Sequence, residues 1–397
     1  MPQRGPESVD LSDTGRVPAL HRAALIVAFA AMGVIGATIP ASIPGAAARM
    51  GVGSETLLPG VSALFLGLFV GVVVVAAVRL PERTFLSAGL LLQCVGLALV
   101  AASATPALFF VSCAVCGIGF GLVEASATSL TRALAAQATA AHLVGLNGAA
   151  AVAAAVSPLF LVAFVPADHG IPLAVLCAVP LVGAGFAWFG LPRRSASRAA
   201  VGVRTSPAAL RTLAVAGVAL FFFVGAETVL SGWSSVLPQT VLGVPARQAA
   251  LGTAVFWILV ATGRFVCAAL LRRGIAPERY LVAVLVSAGV LAAVAAIVRE
   301  GVGAAVLAGA ATFLIAPVYA LLLGVALAHV RDGDAVPHVT GMLVAVGSAG
   351  GVLISFGVAL GAGSAPTGVF LCVAGLLAVC VTLVVVDLRV RRGSPVR

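Results

Sequence analysis

The chain contains no lysine: all 23 of its basic residues are arginine, and its acidic residues number only 13. Charged residues make up 9% of the 397 positions, where a water-facing domain carries about 25%. So little charge, beside 61% hydrophobic residues and a mean hydropathy of +1.18, excludes a water-soluble globule and makes lipid the solvent of this fold. There are only five histidines, without metal-ligand spacing, and the phosphate-binding pattern GxxxxGK[ST] is absent. No polar segment is long enough to hold a catalytic site, so neither an enzyme nor a cofactor or metal is expected. The net charge of +10 raises the question of nucleic acid, but the arginines are scattered through short loops, so no nucleic-acid partner is expected.

Apolar stretches long enough to cross a bilayer, roughly 20 residues each, lie at about 21–45, 56–79, 84–103, 107–131, 142–165 and 171–191. A second set lies at about 212–237, 248–271, 280–298, 302–329, 338–361 and 367–386. The expected architecture is an all-α integral membrane protein of twelve transmembrane helices in two six-helix bundles. Residues 1–20 form an N-terminal tail, 21–191 and 212–386 the two bundles, 192–211 an arginine-rich linker, and 387–397 a C-terminal tail. A multi-pass protein of the plasma or inner membrane is expected, as a monomer. The first apolar stretch lacks a convincing cleavage site, so a cleaved signal peptide is not expected.

The arginines orient the chain. With the N-terminus in the cytoplasm, nineteen of them fall in inner loops and tails; Arg49, Arg247 and Arg299 fall outside, and Arg264 lies within a span. Both termini are therefore expected to be cytoplasmic. The halves read as a duplication. Pro81-Glu82-Arg83 precedes span three and Pro277-Glu278-Arg279 precedes span nine, an offset of 196 residues. His142 and His338 open spans five and eleven at the same offset, in HLVG and HVTG. Parallel repeats of this kind relate the two bundles by an axis along the membrane normal.

Ionisable residues at lipid depth are expensive, and each is a candidate for function. Two carboxylates cannot be placed in loops or span ends: Glu124 in span four and Glu227 in span seven. In such a duplication these are first helices of three-helix units, which line the central path. Desolvation disfavours the charged form of a carboxylate, so each can take up and release a proton as its surroundings alternate, or accept hydrogen bonds from a cargo. A fixed ion pair or a helix bridge is the plainer reading of either. The face of Glu124 carries Gly117, Phe120, Gly121, Thr128 and Thr131, as a cavity wall would, although glycines also serve close helix packing. The face of Glu227 carries Phe223, Val224, Leu230, Ser231 and Ser234, with Trp233 about 240° around the helix. Arg264 either snorkels to the headgroups or forms a gating ion pair, for which Glu124 at similar depth is the expected partner. Asn147, in GLNGAAAV, is a buried amide expected to bridge helices or touch cargo. Seven cysteines all fall in apolar stretches, and the CxxC of Cys113 and Cys116 reads as packing.

Three stretches carry a resemblance to the major facilitator superfamily, and within it to the branch that includes fucose:proton symporters. Gly225-Ala226-Glu227 followed by Trp233 is similar to that branch's G-x-E…W pattern in span seven. Phe256-Trp257 followed by Gly263-Arg264 is similar to its FW…GR pattern in span eight, and the run Gly119 to Ala125 to its glycine-rich stretch ending in an acid. The resemblance implies alternating access by rocking of the halves, with Glu124 as the proton-coupled residue. Span one, AAMGVIGATIPASIPG, carries no acid where those symporters have one. The expected function is secondary active transport, proton-coupled, of a polar and sugar-like small molecule. Glu124 and Glu227 would share proton and cargo duties, and Asn147, Thr128, Ser231, Trp233, Trp257 and Tyr319 are candidates to line the cavity. The alternative is export of an amphipathic or cationic metabolite or drug in antiport with protons. The partners are then the cargo, protons and the bilayer.

Overall fold

The computed structural model describes residues 19–134, 139–163, 170–191, 207–327, 336–361 and 365–393. Among the described residues, twelve stretches of helix are long and apolar enough to cross a membrane. In the first half they are α1 (Ala19–Met50), α2 (Pro59–Ala77), α3 (Glu82–Ala102), α4 (Pro106–Leu134), α5 (Thr139–Ala163) and α6 (Gly170–Gly190). In the second half they are α7 (Pro207–Trp233), then, beyond the short α8 (Leu237–Leu242), α9 (Ala246–Arg272) and α10 (Pro277–Val298). Span ten follows as two pieces, α11 (Gly301–Ile315) and α12 (Val318–Leu327), before α13 (Val336–Gly361) and α14 (Pro366–Gly393). No strand occurs among the described residues. Helix is the structure a chain takes in lipid, because every backbone N–H and C=O must be satisfied within the segment.

Twelve alternating spans put the start of α1 and the end of α14 on one face, the terminal face; the opposite one is the far face. The helices leave and enter these faces at prolines: Pro59, Pro106, Pro207, Pro277 and Pro366 all sit in first turns, where a missing N–H costs nothing. Within the first half α1 packs on α5 and α6, α2 on α4, and α3 on α4 and α6. Within the second, α7 packs on α13 and α14, and α10 on α11 and α14. The halves meet through α5 on α9, α2 on α13, and α1 on α9.

Lipid gives packed helices no hydrophobic drive toward one another, so close backbone approach must replace it. The α2–α4 crossing shows how. Gly67 and Gly71 of α2 face Gly117 and Gly121 of α4; a Cβ on Gly117 would stand 3.0 Å from the Gly67 Cα, and one on Gly121 3.0 Å from the Gly71 Cα. The glycines of α4 that were candidates for a cavity wall are therefore spent on helix contact. Cys113 and Cys116 are likewise fully buried packing residues, with a Cβ on Gly60 lying 3.2 Å from the Cys113 sulfur.

Two features differ from the sequence expectation. Span ten is not one helix, because Pro317 interrupts it. The last helix runs past residue 386 to Gly393, so Asp387 is not in a tail. It is 3% exposed and pairs with Arg211 at the start of α7 (3.8 Å) and with Arg391 one turn on. This three-charge cluster ties α7 to α14 at the terminal face.

Candidate functional site: a charged junction between the halves

Glu124 lies in α4, ten residues before its end, and Glu227 in α7, six before its end. Both are enclosed in the protein interior yet keep partial exposure, Glu227 at 20% of its side chain. Neither belongs to the fully buried core of the protein. Tyr319 of α12, also half-buried, lies within electrostatic reach of Glu124, Glu227 and Arg264 together. The first half thus supplies one carboxylate, and the second half supplies a carboxylate, a guanidinium and a phenol.

Arg264 pairs with Glu227, its Nη2 standing 3.9 Å from Oε1. The expected partner was Glu124. Azimuth decides which neighbour a helix faces, and α9 turns this side chain toward α7 of its own half. The Arg264 Nε also donates to the Ala316 carbonyl, 3.2 Å away. Glu124 forms no hydrogen bond or ion pair with any described residue. Three charges then leave the junction with one carboxylate uncompensated when both acids are ionised.

The remaining candidates separate. Trp257 in α9 is half-buried and borders the junction between the halves: a Cβ on Gly36 of α1 would lie 3.8 Å from both the Trp257 ring and the Phe120 ring of α4. Its indole N–H is buried without a partner. Thr128 and Ser231 are half-buried on α4 and α7. Trp233, the last residue of α7, is 2% exposed and packed in the large apolar core, so it lines no open space. Asn147 is exposed on α5 rather than enclosed among the alanines around it. The side chains of His142 and His338 lie outside the described residues.

On the far-face side the halves are sealed by groups the sequence reading did not single out. Ser235, just past α7, donates to the Pro40 carbonyl of α1 at 2.5 Å. That carbonyl is available because its ordinary helical donor would be the N–H of residue 44, and Pro44 has none. Ser62 of α2 and Ser355 of α13 share a hydrogen bond of 2.7 Å, both buried. Gln239 of α8 donates to Ser54 at 3.3 Å. The Pro-x-x-x-Pro spacing in span one was the available signal, since it frees a carbonyl at lipid depth that some donor must satisfy.

Twelve spans among the described residues, in two six-helix halves that meet at a junction carrying Glu124, Glu227 and Arg264, define the major facilitator fold. Solved structures with this fold match nearly the whole chain. A nucleoside transporter, NupG, in a single-substitution form, superposes with a TM-score of 0.71 at 12% identity, over 93% of this chain and 99% of that one. The transporter FucP in its outward conformation gives 0.64 at 18% identity, over 94% and 99%. A variant of the E. coli fucose:proton symporter FucP gives 0.62 at 19% identity, over the same shares. No protein-family model and no curated protein matches the chain.

Proposed function

We propose that this protein is a secondary active transporter of the cell membrane that works by alternating access and couples the passage of a polar, sugar-like small molecule to protons. The observation that carries the reading is the junction itself: Glu124 from one half and Glu227 and Arg264 from the other all lie within electrostatic reach of Tyr319, and both acids keep partial exposure. Carboxylates in such a place act on protons or cargo more readily than on structure, and among the described residues no cation pairs with Glu124. Rocking of the halves would expose Glu124 to one face and then the other, while the far-face hydrogen bonds form and break. Trp257 offers a ring face to the apolar side of a sugar, and Thr128 and Ser231 offer hydroxyls. Solved neighbours that carry a nucleoside or fucose support a polar cargo as the first choice.

Glu124, which pairs with no described cation and sits one helical turn after Phe120, gives the second reading its observation, export of an amphipathic cation. One experiment separates the two. Purified protein in proteoliposomes with an imposed pH gradient is offered radiolabelled sugars, nucleosides and organic cations in turn. Accumulation of a neutral polar solute with the proton gradient supports the first reading; cation movement against the proton supports the second. No gradient-driven movement of any of them contradicts both.

A further inference from the structure

The break in span ten has a counterpart on α9. Pro317 brings no N–H, so the Phe313 carbonyl loses its helical donor, and Ala316 is left between α11 and α12. Irregular backbone at membrane depth persists only where protein or water satisfies it. Two consecutive residues of α9 answer the break. Gly263 lets the α9 backbone lie directly on it: a Cβ there would run into the Phe313 carbonyl oxygen and stand 2.9 Å from the Ala316 Cβ. Arg264 then donates its Nε to the Ala316 carbonyl and reaches Glu227 with Nη2. A cation at the C-terminal end of α11 is also where the helix dipole favours one.

We propose that the Ala316–Pro317 break is a positioning element, which with Gly263 fixes the Arg264 guanidinium so that it reaches Glu227. A lysine cannot replace it, because a single ammonium lacks the planar fork that spans the carbonyl and the carboxylate together. Because the tether is a backbone carbonyl at a proline hinge, bending of span ten moves the guanidinium relative to Glu227 without a shift of α7. That last step rests on the transport reading; the positioning of the charge pair does not.

The test is a double-mutant cycle on the full-length protein in lipid nanodiscs, read by thermal unfolding. Arg264→Ala and Glu227→Gln each remove the pair, so their melting shifts are non-additive when combined. The same cycle is repeated in Pro317→Ala, which restores the N–H, and in Gly263→Ala, which pushes α9 off the break. The non-additivity falls to less than half in both backgrounds. Undiminished coupling in either one overturns the proposal; if Pro317→Ala does not fold, the Gly263→Ala cycle decides alone. In proteoliposomes Pro317→Ala lowers the maximal gradient-driven flux several-fold with the half-saturating cargo concentration unchanged. A wild-type protein that moves no cargo would sink the transport reading and leave the melting result standing.

Discussion

Replacing Ser355 by alanine should open the far face more than replacing Ser62, although the two share one hydrogen bond. The Ser355 hydroxyl has a single hydrogen, which it gives to the Gly351 carbonyl of its own helix. The 2.7 Å contact across the halves must then be Ser62 donating to the Ser355 oxygen. Ser62→Ala removes one hydrogen bond, worth about 1 kcal/mol net. Ser355→Ala instead leaves a buried Ser62 donor without its acceptor, at about 1–3 kcal/mol. With about 1.4 kcal/mol for each tenfold, the sealed-to-open ratio falls about five-fold for Ser62→Ala and between about five-fold and about 150-fold for Ser355→Ala. The double variant leaves no orphan and should resemble Ser62→Ala alone. Spin labels on Glu55 and Thr240, both exposed at the far face on opposite halves, report the two populations by pulsed dipolar spectroscopy in nanodiscs. Ser62→Ala shifting the distribution more than Ser355→Ala, or neither variant shifting it, would refute the donor assignment and the seal.

Pro44→Ala returns an N–H beneath the Pro40 carbonyl, which then competes with Ser235. The same label pair should show a shift toward the open far face of up to about 1 kcal/mol. Gly121→Leu places a side chain into the Leu68 carbonyl across the α2–α4 crossing. Overpacking of this kind costs about 1–3 kcal/mol or more, and the yield of monodisperse protein and its melting temperature should both fall, whereas Gly145→Leu, which meets open space, should leave them unchanged.

Much of this architecture was legible in the sequence, because lipid enforces one rule on every span. A window of apolar residues is enough to find a helix, and twelve were found; arginine placement and the 196-residue offset divided them into halves. The two deep carboxylates stood out for the same reason, since nothing else at that depth is acidic. What the sequence hid was relational. The pairing of Arg264 with Glu227 depends on how α9 is rotated against α7, which spacing along one chain does not record. The break at Pro317 vanished inside a hydropathy window that one proline barely alters. Asp387 read as tail because its helix continues beyond the apolar stretch, held there by Arg211 and Arg391. Trp233 matched a pattern, but its burial at the end of α7 makes it a packing residue.

Glu124 is the point on which the account turns, as the junction carboxylate that no described cation pairs. Glu124→Gln keeps the shape and removes the titrating group. In proteoliposomes loaded with the transported solute, the variant should keep equilibrium counterflow, which needs only binding and rocking of the halves, and lose accumulation driven by a pH gradient. Full gradient-driven accumulation by Glu124→Gln would contradict the account.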